Sequence, residues 1–100
     1  MGKASRHRPM RLGEKLTQIR HAFGLSQNGI IRKLGLTDIS RGNLSAYELG
    51  RREPSSTVLL AYARAAGVWV DVLIDDELDL PDKIPSIPKH GGIPPKRSPS

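Results

Sequence analysis

Two groups of residues have the types and spacing needed to grip and read a polyanion. Ser40, Arg41, Gly42, Asn43, Ser45 and Ala46 form the first, and Lys33, Arg51 and Arg52 form the second. An arginine guanidinium bonds guanine through two N–H donors, and an asparagine amide can pair with adenine in the same two-point manner. Gly42 lets a backbone approach closely, and the hydroxyls of Ser40 and Ser45 can bond phosphate. Plainer explanations stand beside these. Ser-Arg-Gly-Asn is also ordinary turn chemistry, and paired arginines also occur on solvated charged faces.

Other chemistries are poorly provided for. The chain has no cysteine, which excludes disulfides, thiolate metal sites and thiol nucleophiles. His7, His21 and His90 are scattered, without metal-ligand spacing. The acids at 75–82 lack the loop pattern of calcium sites and are expected to form a solvated face or a partner surface. No glycine-rich loop follows a strand, so a phosphate-cradling nucleotide site is not supported. The expectation is a protein that is not an enzyme and uses no cofactor or metal.

One hundred residues allow one small domain with a tail. The net charge is +6, unevenly spread: residues 1–64 carry 12 basic and 4 acidic side chains, residues 65–100 carry 4 and 6. The positive field therefore lies on the first two thirds, where a polyanion would be met. No apolar run approaches the roughly 20 residues that span a bilayer. The start, MGKASRHRPM, has no apolar core after it and is not a secretory signal. A cytoplasmic setting without membrane attachment is expected.

Five helices should position these residues. The first is predicted over about Pro9 to Phe23, with Leu12, Leu16, Ile19 and Phe23 on its apolar face and Arg11, Lys15 and Gln18 mostly opposite. Gly24 suits its end. The second starts near Ser26, buries Ile30, Ile31 and Leu34, turns Arg32 and Lys33 outward, and stops at Gly35. Gly29 within it is expected to permit close helix approach. After a polar turn the third covers roughly Arg41 to Leu49, capped by Ser40, with Leu44 and Tyr47 inward and Gly50 after it. Ser55 or Ser56 caps the fourth, whose apolar side is Val58, Leu59, Tyr62, Ala63 and Ala66 before Gly67. A short fifth, about Val70 to Ile74 with Trp69 beside it, closes the core. Residues 1–9 read as a basic arm carrying Lys3, Arg6, His7 and Arg8, residues 10–80 as the domain, and the Pro-rich residues 81–100 as a disordered or extended tail.

A short helix, a turn and a second short helix on a basic chain can set one helix in a DNA major groove. With LGEKLTQIRHAFGLSQ, LSAYELGRREPS and VLLAYARAAGVWVDVLI in that order, the chain resembles the XRE family of phage-repressor and Cro-type regulators over about Leu12 to Leu80. The resemblance implies an all-α, five-helix, lambda repressor-like DNA-binding domain. It implies that Gln27 packs against the recognition helix and bonds a phosphate or base, and that Arg20 pairs with Glu48 as a structural ion pair. The chain departs from the pattern in a Gly35–Leu44 segment about three residues longer than usual, in Asn28-Gly29-Ile30-Ile31, and in Trp69 at a position where a small cap is common.

The expected function is therefore sequence-specific binding of double-stranded DNA by a transcriptional regulator, with residues 41–49 in the major groove and a homodimer on a two-fold related site. The alternative is a protein-interaction adaptor on the same fold, coactivator- or antitoxin-like, working through the acidic and Pro-rich end. An RNA-binding module is less well supported, because aromatic stacking residues are few.

Overall fold

The computed structural model describes residues 9–85, and within them every regular element is helical. The helices are α1 (Leu12–Ala22), α2 (Gln27–Leu34), α3 (Arg41–Glu48), α4 (Ser56–Ala66) and α5 (Val70–Ile74). Lys3, Arg6, His7 and Arg8 of the basic arm, and the tail from 86 onward, lie outside the described residues.

Helix ends follow local chemistry. Ser26, Ser40 and Ser55 are the N-caps of α2, α3 and α4, and each side-chain oxygen accepts from the N–H three residues on. Such caps satisfy amides that otherwise lack a partner, at about 1 kcal/mol each. Gly35 and Gly67 close α2 and α4 in the left-handed conformation, which a side chain would strain.

The core is one cluster built on Leu12, Leu16, Ile19, Ile30, Leu44, Tyr47, Val58, Tyr62 and Leu73, with small Ala63 and Ala66 letting the helices close on one another. The first helix packs on α3, α4 and α5, α2 packs on α3 and α4, and α5 packs on α4. Leu80 and Ile84 also pack against this cluster.

Three local expectations change. Close helix approach comes at Gly13, not Gly29. A Cβ on Gly13 would lie 2.5 Å from the Glu48 carbonyl oxygen, whereas the nearest neighbours of one on Gly29 would be Ser26 and Leu25, at 3.2 Å or more. Gly13 thus lets the start of α1 rest against the backbone end of α3.

Second, Lys15 is not on the solvent side: it is 1 % exposed. Leu12, Lys15, Leu16 and Ile19 follow the i, i+3, i+4, i+7 spacing of a single face, so position outweighs charge here. Its Nζ donates to the carbonyl oxygens of Val72 (2.7 Å), Asp75 (2.9 Å) and Leu78 (2.7 Å). It thereby serves carbonyls at the end of α5 and just beyond it, that of Asp75 also accepting from the Leu78 N–H. Burial pushes the ammonium pKa down and the Arg11 charge adds to this, while Asp76, Asp79 and Asp75 oppose it.

Third, the acidic segment is not simply a solvated face. The Asp76 carboxylate accepts from the backbone N–H groups of Met10 (2.9 Å) and Arg11 (3.0 Å) at the start of α1. The Arg11 guanidinium donates to the Asp76 carbonyl and, at 2.6 Å, to Asp79. The chain after α5 is thus clamped onto the first turn of the domain.

Candidate nucleic-acid interface

The candidate interface is the α2–turn–α3 unit and the loop that leaves it. The capping box at the start of α3 is reciprocal: Ser40 Oγ accepts from the Asn43 N–H, and Asn43 Oδ1 accepts from the Ser40 N–H at 3.0 Å. The Ser40 hydroxyl also donates to Asn43 Oδ1 at 3.2 Å. Leu44 and Tyr47 face the core. Gly42, Ser45, Ala46 and Leu49 then follow the spacing of the opposite face.

The far end of α3 is held by a polar knot. Arg20 on α1 donates from Nε to Glu48 Oε2 (2.8 Å) and from Nη2 to Glu48 Oε1 (3.0 Å), and its Nη1 donates to the Leu25 carbonyl (3.1 Å). Gln27, the first residue of α2, donates from Nε2 to Glu48 Oε1 at 3.1 Å. Three helices therefore converge on one carboxylate. Burial pushes the Glu48 pKa up, but the hydrogen bonds from Arg20 and Gln27 outweigh it and leave the group below its usual value. The knot neutralises the only acid on α3, so the helix presents no negative charge to a polyanion.

Residues 11–76 match the sequence profile of a family described as helix-turn-helix domain. The chain belongs to that helix-turn-helix family. No curated protein and no solved structure matches it.

In this helix-turn-helix unit α2 and α3 are joined through Gly35–Ser40, and the fold is all-α and repressor-like. Arg41, Gly42, Arg51 and Arg52 are exposed, and Ser45 and Ala46 are half-buried on the outer side. Among the described residues the side chains of Arg41, Arg51 and Arg52 make no ion pair. Two residues proposed from sequence are otherwise engaged. The Asn43 carbonyl oxygen belongs to the capping box, and a two-point bond to adenine would need that same atom. Lys33 Nζ lies 4.7 Å from the centroid of the Phe23 ring, so its partner is the end of α1. Gln27 stands between the two roles: one amide hydrogen serves Glu48, leaving its oxygen and second hydrogen for a further partner.

Leu49 was absent from the sequence-derived interface, yet it is 63 % exposed at the end of α3. Its spacing from Gly42 and Ala46 was the available signal; its apolar character argued for the core instead.

The polar knot carries a stability prediction. Arg20→Ala and Glu48→Ala should each lower unfolding free energy by roughly 1–3 kcal/mol, since each strands a largely buried charge. The double substitution should cost less than the sum, read from urea denaturation. The Glu48 contribution is complete above the ordinary carboxyl pKa and is lost as pH falls through the depressed folded value. Glu48→Gln should therefore flatten the acid limb of the stability profile.

Proposed function

We propose that the protein is an XRE-type, sequence-specific double-stranded DNA-binding regulator of transcription, acting in the cytoplasm as a homodimer. The observation that carries this reading is the outer face of α3: free of acid, bracketed by unpaired Arg41 at its start and Arg51 and Arg52 beyond its end. Arg51 and Arg52 suit contact along a phosphate track, while Arg41 and the first turns of α3 meet base edges. Gln27 and Ser45 add short polar groups at the rim. A lone module of this size makes few base contacts, and a two-fold pair on a symmetric site supplies the rest.

The adaptor reading places its working surface at the acidic and Pro-rich end. Asp76 and Asp79, and the carbonyls of Asp75 and Leu78, are already committed to α1. That clamp favours the DNA reading. In addition, no helix among the described residues is long and apolar enough to cross a membrane.

Arg41→Ala should weaken binding to the preferred duplex by about 1–3 kcal/mol and flatten preference at particular base pairs. Arg52→Ala should weaken all sequences alike and reduce the salt slope by about one unit per protomer, about two for the homodimer. Fluorescence anisotropy against the preferred duplex and its single-base variants separates these outcomes. If neither substitution changes duplex affinity, α3 is not the DNA-contacting helix.

A further inference from the structure

The face that α3 turns away from the core is unusual for a helix that must read bases. Gly42, Ser45, Ala46 and Leu49 occupy it, and none has the reach of a glutamine, asparagine or arginine. The two amides near it are partly engaged: Asn43 Oδ1 in the capping box, and one Gln27 amide hydrogen on Glu48. Arg41 at the first turn is the one long hydrogen-bonding side chain at the start of α3. Leu49, by contrast, exposes 63 % of its surface, and the core does not account for it. Around this apolar strip stand the unpaired cations Arg41, Arg51 and Arg52. An apolar strip inside a cationic frame matches an occupant that is anionic at its edges and carries an apolar group within.

The DNA major groove has that composition. Its phosphates run along both sides, and its one apolar feature at the base edges is the 5-methyl group of thymine. We propose that Ala46 and Leu49 form an apolar reading edge that selects thymine by contact with its methyl group. The proposal rests on the reading of α3 as the DNA-contacting helix and names what that helix selects. Gly42 and Ser45 serve it by being short: with a hydrogen and a hydroxymethyl at those positions, the helix can settle deep enough for a methyl-to-methyl contact. Neither side chain is long enough to hold it away.

The test removes the methyl and nothing else. Duplexes are selected from a random pool, and each thymine of the preferred site is replaced in turn by uracil, which keeps every hydrogen-bonding group. Wild-type affinity should fall about fourfold at each contacted thymine, the equivalent of one buried methyl of about 0.8 kcal/mol. Leu49→Ala and Ala46→Ser should bind thymine and uracil duplexes with a smaller difference. Leu49 is exposed, so its truncation leaves the core intact; thermal melting of both variants checks this.

Equal affinity for thymine and uracil at every position, or a preferred site with no thymine, would overturn the proposal while leaving DNA binding in place. A uracil penalty that persists unchanged in both variants would overturn the assignment to Ala46 and Leu49. Failure to bind any duplex would instead overturn the DNA reading itself, so the two failures are distinguishable.

Discussion

Replacing Lys15 with alanine is expected to lower the stability of the domain by about 3–5 kcal/mol, a large share of what a fold of this size has. The ammonium satisfies three carbonyl oxygens, of Val72, Asp75 and Leu78, at 2.7–2.9 Å. Losing it removes a donor from all three; the Asp75 carbonyl keeps the Leu78 N–H and the Leu78 carbonyl keeps the longer bond from Arg11, so the main cost falls on Val72, at about 1–3 kcal/mol where water cannot reach. It also leaves a cavity where the four-carbon stem packed. Lys15→Met keeps most of the stem and should recover part of the loss. Urea denaturation followed by circular dichroism reads both effects. An unchanged midpoint for Lys15→Ala would mean that the clamp between α1 and the chain after α5 does not hold the fold together.

Duplex binding should fall steeply with salt. Three or four cations on each protomer of the proposed homodimer, about six to eight in all, would release about as many counterions, so raising salt from about 50 to 200 mM should weaken binding on the order of 1,000- to 10,000-fold. Arg41, Arg51 and Arg52 supply most of the count, because their side chains pair with no acid among the described residues. Anisotropy titrations across that range give the slope directly. A slope near zero would mean that the net charge of +6 is only a solubility feature.

Much of this architecture was legible in the residues. The three serine caps, the glycine stops and, Lys15 apart, the apolar faces of α1 to α4 arise from local rules acting over one or two turns, and so they can be read locally, although of the expected inward residues of α2 only Ile30 is fully buried while Ile31 and Leu34 are half-buried. The short α5 (Val70–Ile74) was also found where its apolar residues place it, with Trp69 as its N-cap. The Arg20–Glu48 pair is named only through the resemblance; the two side chains lie 2.8 and 3.0 Å apart at their hydrogen-bonding atoms.

Most of what could not be read was long-range. Lys15 looked solvent-facing because a charge usually is. Its burial depends on carbonyl groups 57 to 63 residues away. Asp76 looked like one acid in a solvated run, yet its partners are Met10 and Arg11. Gly13 drew no comment, because the backbone it accommodates belongs to α3. At the interface, residue type pointed to Asn43 as a base reader, whereas its place in the first turn of α3 gives its oxygen to the Ser40 cap.

The central claim is that α3 reads duplex DNA by sequence. The most direct measurement is selection of bound duplexes from a random pool, followed by affinity for the winning duplex and for a scrambled one of equal length at physiological salt. The account predicts a two-fold symmetric winning sequence, bound at least 1,000-fold more tightly than the scramble, in line with the ~10³–10⁷ ratio of specific binders. Selection that yields no shared sequence, with winner and scramble bound alike, would contradict it.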